Sequence, residues 1–160
     1  MSKRILAIDP GNEISGWVIV DEGGSIYSAD NTLNEKILMD IKMLGHHVDV
    51  VAIEWISSYG MAVGKTVFET CLWIGRFVEA AKMHDVELRI IPRIACKLHH
   101  CGKGTAKDSN VTQAIKDKYG EKGTKANPGY FYGVSKHAWQ AFAIAAYVME
   151  GGEHKSELKL

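Results

Sequence analysis

Five short apolar segments of the sequence are separated in two different ways, and this spacing limits the possible folds more than any other feature. The first three, at residues 4–8, 15–20 and 25–29, are joined by connections too short to hold a helix, which predicts antiparallel strands. The other two, at residues 49–53 and 86–91, each follow a helical stretch, as parallel strands reached by crossovers do. The sequence therefore predicts an α/β fold with a five-stranded mixed sheet, three antiparallel strands then two parallel, and helices on both faces.

Helical periodicity fills the remaining stretches. The predicted helices are residues 31–44, 64–83, 94–99, 108–119 and 134–149. Asn31 or Thr32 is expected to cap the first of them and Gly45 to end it, while Asp108 or Ser109 is expected to cap the fourth.

Length and composition favour one globular domain. The 160 residues are 46% hydrophobic and 24% charged, which is enough for a single core. We expect the domain to span residues 1–150, followed by a polar tail, residues 151–160, that frays. The longest apolar run has nine residues, far short of the roughly 20 that a membrane helix needs. A cytoplasmic location, with three reduced cysteines, is expected.

Charge is distributed unevenly along a chain whose net charge is zero. Residues 93–136 contain nine basic and three acidic side chains, a net charge of +6. A basic half of this kind is typical of a surface that binds phosphates, and it is equally typical of a solvated lysine-rich surface.

Two acids stand at the ends of predicted strands. Asp9 follows the first strand and Glu54 follows the fourth. If these strands are neighbours, both carboxylates lie at the carboxyl edge of the sheet, where α/β proteins place their sites. Carboxylate oxygens suit Mg²⁺ or Mn²⁺. For Asp9 alone a turn cap is the better explanation.

The last predicted helix is apolar on nearly every side, which predicts that it is buried. His137 and Gln140 in its first turn are three residues apart and therefore share one face. Taken alone, His137 is most simply a hydrogen-bonded core histidine. Together with the two strand-end acids, this polar face predicts a site.

Two other patterns favour different sites. Cys96, His99, His100 and Cys101 form a cluster that suggests zinc, but such closely spaced ligands do not easily reach tetrahedral geometry. The segment "GKGTAK" lacks the spacing of a phosphate-binding P-loop.

The stretches "ILAIDPGNEISGWVIVD", "VVAIEWISS" with "CLWIGRFVEAA", "IIPRIACKLHHCGKGTAKDSNVTQAI" and "SKHAWQAFAIAAYV" together resemble the RuvC-type Holliday-junction resolvases. The resemblance covers about residues 3–150, and its basic segment and last helix look most like the bacteriophage branch of that family. It implies an RNase H-like fold and a metal-dependent endonuclease that cuts branched DNA in pairs of nicks. It also implies a homodimer formed through helix 64–83, although the apolar face of that helix can equally be core.

The resemblance further implies which residues act. Asp9 would bridge two Mg²⁺ ions, for which Mn²⁺ is expected to substitute, and Glu54 would hold one of them. His137 would ligate a metal or orient the attacking water. Gln140 stands where the family has an acid, which weakens one metal position. Lys107 or Asp108 is an additional candidate for the active site, with helix capping as the alternative for Asp108.

DNA contacts are expected from two regions. Tyr59 or Met61, in the loop after Glu54, is a candidate to wedge into an opened base step. The lysines expected to contact phosphates are Lys97, Lys103, Lys107, Lys122 and Lys125.

Other functions stay open at this point. Gln140 is compatible with a protein that binds junctions and cuts weakly or not at all. A ribonuclease acting on RNA–DNA hybrids would carry its second acid on the first helix, which offers Glu35 and Asp40. An actin-like ATPase half would need far more chain.

Overall fold

A mixed sheet of five strands forms the centre of the computed structural model, which describes residues 1–44, 47–154, 158 and 160. The strands are β1 (Arg4–Asp9), β2 (Ile14–Asp21), β3 (Ile26–Leu33), β4 (Val50–Trp55) and β5 (Glu87–Pro92). Their order is β3-β2-β1-β4-β5; the pairs among the first three strands are antiparallel, and β4 is parallel to both β1 and β5. The predicted sheet is confirmed.

Helices cover both faces of this sheet. They are α1 (Asn34–Lys42), α2 (Lys65–Lys82), α3 (Arg93–Cys101), α4 (Asp108–Tyr119) and α5 (Ala138–Met149). One apolar core lies between the sheet and α1 with α2, and the other between the sheet and α3, α4 and α5. In the described part of the chain, no helix is both long and apolar enough to cross a membrane.

Strand alternation decides which core each side chain enters. On β1, Ile5 and Ala7 face the core beneath α5, and on β4, Val50 and Ala52 do the same. Because side chains alternate between faces with a period of two, the strand-end acids two residues further on point to that same side. The acids thereby share one edge and one face of the sheet.

The first helix begins later than predicted. Residues 31–33 belong to β3, where Asn31 pairs with Gly16 of β2, so neither Asn31 nor Thr32 caps a helix. The longer hairpin gains cross-strand pairing that the local helical pattern does not reveal. Gly45, predicted to end the helix, lies outside the described residues.

The last helix begins at Ala138 instead of residue 134. Lys136 has a positive φ of 49°, which interrupts helical geometry. Asn31 holds the segment in this position, because its amide donates to the carbonyl of Ser135 at 2.9 Å and its oxygen accepts from the backbone N–H of His137 at 2.9 Å. His137 is therefore the residue before the helix and not part of its first turn.

The start of α4 is capped differently from the prediction. Lys107 is the N-cap, and its backbone N–H donates to the side-chain oxygen of Asn110 at 2.9 Å. Asp108 is the first helical residue, and its carboxylate lies 3.6 Å from the Lys97 ammonium. The prediction of Asp108 or Ser109 as cap is wrong.

Residues 151–154 are docked, not frayed. Gly152 accepts a hydrogen bond from Arg89 at 2.5 Å, and the ring of His154 contacts the carbonyl of Ile90 at 2.7 Å. Both partners lie on β5, so this part of the tail covers the edge strand. Residues 155–157 and 159 lie outside the described chain.

Helix α2 has two apolar sides. Ile74, Phe77 and Val78, on the helix predicted to form the dimer, are buried in the core of the same chain. Phe68 and Leu72 instead point outward, with 64% and 66% of their surface exposed. The helix is therefore core on one side and carries an exposed apolar stripe on the other.

Candidate active site

The two strand-end acids lie side by side. Ile8 of β1 pairs with Ile53 of the parallel strand β4, which brings the next residues, Asp9 and Glu54, next to each other. Both are buried, with 3% and 4% of their surface exposed. Burying two neighbouring carboxylates costs free energy unless a positive charge lies close to them.

Arg93 supplies positive charge. Its Nε donates to Glu54 Oε1 at 2.8 Å and its Nη2 to Glu54 Oε2 at 3.4 Å, while Nη2 lies 3.9 Å from Asp9 Oδ1. From the sequence, no role in this site was predicted for Arg93, which was included only in the basic segment of residues 93–136. Its position directly after β5, the strand parallel to β4, was the available signal, because the carboxyl ends of parallel strands meet at one edge.

The pKa of Glu54 is raised to about 8. Burial is the main cause and the neighbouring Asp9 adds to it, while the charge and hydrogen bonds of Arg93 act in the opposite direction. A carboxyl group with such a pKa is poised to exchange its proton for another cation near neutral pH.

His137 completes the cluster from the other side. Its Nδ1 lies 3.1 Å from Asp9 Oδ2, and 64% of its side chain is exposed. The hydrogen bond with Asp9 raises the pKa of His137, helped by the charges of Asp9 and Asp108 and opposed by burial and Arg93. The second ring nitrogen remains directed away from Asp9.

A glycine allows this close approach. A Cβ atom on Gly16 would lie 2.2 Å from the backbone carbon of His137 and 2.5 Å from the nitrogen of Ala138. Since Gly16 pairs with Asp9 across β2 and β1, the chain before α5 crosses the sheet directly beside the acid. Only a residue without a side chain permits that crossing.

Gln140 points elsewhere than predicted. Its amide nitrogen donates to the backbone carbonyl of Asp108 at 3.2 Å and approaches the Thr112 hydroxyl at 3.4 Å. The residue therefore ties α5 to the first turn of α4, and the structure does not bring its side chain onto the acid pair. Lys107 lies exposed just before that turn.

An open groove of about 570 Å³ runs along the site, lined by His137, Arg93 and the loops that follow β1 and β4. A buried network fixes the first of these loops. Ser15 donates to the Asn34 side chain at 2.5 Å and accepts the backbone N–H of Gly11 at 3.0 Å, while the Asn34 amide donates to the Gly11 carbonyl at 2.8 Å. The loop is thereby held rigid beside the acids.

The predicted DNA-contacting residues fall into separate places. Tyr59, with a positive φ of 49°, lines the groove, and Met61 is exposed beside it in the same loop. Lys103 and Lys107 are exposed on the connection between α3 and α4. Lys97 is largely covered, because it pairs with Asp108.

Lys122 and Lys125 lie on the connection between α4 and α5. That connection closes on itself through a bridge between Gly123 and Pro128. The two lysines therefore belong to a surface loop and not to the groove lining.

The donor set fits a hard divalent cation. Asp9 and Glu54 present buried oxygens, which Mg²⁺ and Mn²⁺ prefer. The Arg93 guanidinium lies against both acids, so positive charge is favoured beside this pair. His137 is the third group within reach of Asp9.

The cysteines and histidines of the zinc-like pattern separate. Cys96 is buried in the core, and burial and nearby Glu54 raise the pKa of its thiol. His99 and His100 instead meet Glu150 at the end of α5. All three cysteines of the chain are free.

Comparison with known proteins finds similar architecture in structures of RuvC. No family model matches the sequence, and no curated protein matches it. RuvC of T. thermophilus in complex with Holliday junction substrate superposes with a TM-score of 0.69 at 16% identity, over 94% of this chain and 97% of that chain. A second Thermus thermophilus RuvC structure gives 0.64 at 18% identity, over 92% and 96%. The predicted architecture is confirmed: this chain has the RNase H-like fold of RuvC.

Proposed function

We propose that this chain is a metal-dependent endonuclease that resolves Holliday junctions and other branched DNA by paired phosphodiester hydrolysis. The observation that carries the proposal is the buried pair Asp9 and Glu54, set side by side with His137 at the edge of an open groove. The likeness to RuvC in complex with Holliday junction substrate supports the choice of DNA.

Asp9 and Glu54 would hold the metal, and His137 would either ligate it as well or orient the attacking water. Mg²⁺, with Mn²⁺ as a substitute, would supply Lewis-acid stabilisation of the negative charge that develops on the phosphate. Arg93 would have to release Glu54 for this, and it lines the groove, so it is placed to bind a phosphate oxygen afterwards.

In the second of these two roles, His137 would act on the attacking water. Asp9 fixes one ring nitrogen, so the other is free to accept a hydrogen bond from the attacking water. Gln140 is a positioning residue, because it links α5 to α4 and so sets where His137 stands. Asp108 contributes negative charge near His137, and its carboxylate pairs with Lys97.

A homodimer is proposed through the outer face of α2. Phe68 and Leu72 form an exposed stripe with Gly75, whose missing side chain would meet nothing within 4 Å in the described chain. Glycine inside a helix costs about 1 kcal/mol relative to alanine, so a close approach by a second helix would explain its presence. Resolving a four-way junction needs two cuts in opposed strands, and a two-fold dimer would present one active site to each of them.

DNA would be held by the groove and the basic connections. Tyr59 or Met61 would contact an opened base step, which the position of Tyr59 in the groove and the exposure of Met61 support. Lys103, Lys107 and Lys125 are exposed and available to phosphates, with Lys122 partly covered beside them.

A junction-binding protein with weak catalysis is the second candidate. Gln140 favours it, because a neutral amide that is bonded to α4 adds no charge to the metal site. A ribonuclease of RNA–DNA hybrids receives less support, since Asp40 on the first helix forms an exposed pair with Lys36 at 2.9 Å.

The test is cleavage of one labelled mobile four-way junction, with linear duplex and RNA–DNA hybrid of matched sequence, in Mg²⁺ and in Mn²⁺. Paired nicks confined to the junction support the resolvase. Asp9→Asn should bind the junction like the parent and cut it more than about 100-fold more slowly, because the metal site supplies several kcal/mol. Binding without cuts in either metal would favour the second candidate, and cutting of the hybrid alone the ribonuclease.

A further inference from the structure

The three helices that begin beside the acid pair also end together. α3 begins at Arg93, α4 at Asp108, and α5 directly after His137. Their opposite ends meet in a polar group that we name the C-terminal cluster, formed by His99, His100, Lys118, Tyr119 and Glu150. Helix C-termini carry partial negative charge, so their convergence favours a cation.

Three side chains of the cluster offer metal-binding atoms. His99 Nε2 lies 2.5 Å from Glu150 Oε2, and the rings of His99 and His100 stand edge to face with centroids 4.8 Å apart. One atom each from His99, His100 and Glu150 lie within 4.8 Å of one another. Two imidazoles and a carboxylate form a ligand set that zinc commonly takes, with water completing the coordination.

The neighbours of these side chains determine which of their atoms can bind a metal. The carbonyl of Ala143 can only accept a hydrogen bond, so His100 Nε2, 2.7 Å away, carries the proton and Nδ1 of the neutral ring keeps its lone pair. On Glu150, Tyr119 donates to Oε1 at 2.8 Å and Lys118 contacts the same oxygen, which leaves Oε2 toward His99. Metal-binding histidines and carboxylates are typically held by such outer hydrogen bonds.

The protonation states also suit ligands. Burial lowers the pKa of His100, which favours the neutral ring that binds metals. Burial opposes ionisation of Glu150, but hydrogen bonds from Lys118, His99 and Tyr119 lower its pKa to about 2, so the carboxylate is charged at neutral pH.

We propose that His99, His100 and Glu150 form a second metal site, for a transition-metal dication such as Zn²⁺, at the joined ends of α3 and α5. The ion would replace the hydrogen bond between His99 and Glu150 and link the two helices directly. Mg²⁺ would not compete, because it prefers oxygen ligands, whereas imidazole favours zinc and its neighbours. A metal at this site would stabilise the packing of α3 against α5. The opposite ends of these helices carry Arg93 and His137, which contact the acid pair.

The experiment is a titration of the full chain with Zn²⁺, followed by calorimetry, and with Co²⁺, followed by the visible absorption of the bound ion, both in excess Mg²⁺. We expect one equivalent to bind, and thermal unfolding to shift upward with Zn²⁺ because a ligand of the folded state stabilises it. His99→Gln, which leaves the contacts of His100 and Glu150 with other residues in place, should weaken binding at least tenfold and abolish the thermal shift.

His47→Gln is the control, since His47 is exposed and lies outside the cluster. Glu150→Gln provides a second variant if His99→Gln disturbs the fold. Zn²⁺ binding that is equal in the parent, His99→Gln and Glu150→Gln would overturn the proposal. So would the absence of saturable Zn²⁺ binding to the parent in excess Mg²⁺.

Discussion

Gly16 shows how one missing side chain sets the geometry of the acid pair. It lies on β2 opposite Asp9, and the backbone of His137 crosses directly over it. His137 can therefore reach Asp9 only while this position lacks a Cβ atom.

The first prediction concerns Gly16→Ala. The new methyl group would overlap the backbone of His137, so the segment must move, at a cost of about 1–3 kcal/mol for an overpacked site. We expect a lower melting temperature and, below it, a loss of junction cleavage larger than the unfolded fraction explains. Gly23→Ala is the matched control, since its Cβ would meet only the Asp21 carboxylate at 3.3 Å and no backbone atom within 4 Å. Normal cleavage by Gly16→Ala would remove the role given to His137.

The second prediction uses the raised pKa of Glu54. The folded chain keeps this proton up to about pH 8, whereas the unfolded chain releases it near the ordinary value of 4.5. The contribution to stability is therefore complete below pH 4.5 and is lost as the pH rises through about 8. Glu54→Gln cannot ionise, so its free energy of unfolding relative to the parent should rise by a few kcal/mol between pH 5 and pH 9.

This comparison is made by denaturant unfolding in a chelator, so that no metal contributes. Glu35→Gln, at an exposed position on α1, serves as the control and should follow the parent at every pH. A constant difference between Glu54→Gln and the parent across this range would contradict the buried, proton-holding state of Glu54.

At the scale of elements, α2 combines a core face with an exposed stripe. The third prediction is that Leu72→Glu makes the chain monomeric, because a charge would be buried against the second copy. Gly75→Ala should stabilise the isolated chain by about 0.5–1 kcal/mol while weakening the dimer. Sedimentation velocity measures the first effect and denaturant unfolding the second.

Met39→Glu tests whether a charge at any exposed apolar position disrupts the dimer, since Met39 is 55% exposed on α1. It should sediment like the parent. A parent chain that is monomeric at micromolar concentration, or an unchanged Leu72→Glu, would exclude this dimer.

The elements that could be predicted from the sequence depend on local patterns. Strand periodicity and connection length predicted the mixed sheet of three antiparallel and two parallel strands, with Asp9 and Glu54 at strand ends. The neighbouring positions of β1 and β4 were a condition of the predicted site, and the structure meets it. The start of α5 could not be predicted, since the contact between Asn31 and His137 joins residues 106 positions apart. The same holds for Arg93 and Gln140, whose partners come from other elements.

At the scale of the whole molecule, a chain of zero net charge presents basic connections beside an acidic pair. The fourth prediction is that junction binding weakens steeply with salt, because phosphate contacts release counterions. Replacing both Lys103 and Lys107 by alanine should reduce the slope of log affinity against log salt by about 2. Lys42→Ala, on the opposite face of the sheet, should leave the slope unchanged. Equal slopes for all three proteins would place the DNA elsewhere.

The link from Asn31 to the segment before α5 has a consequence for thermal behaviour. β3 is the outermost strand on its side of the sheet, and outer strands open locally at lower free energy than central ones. Each such opening frees Ser135 and His137 from their partner. The same local opening equilibrium would then set both the rate of amide exchange along β3 and the fraction of molecules able to cleave DNA. Heating would abolish cleavage in a protein whose core is still intact.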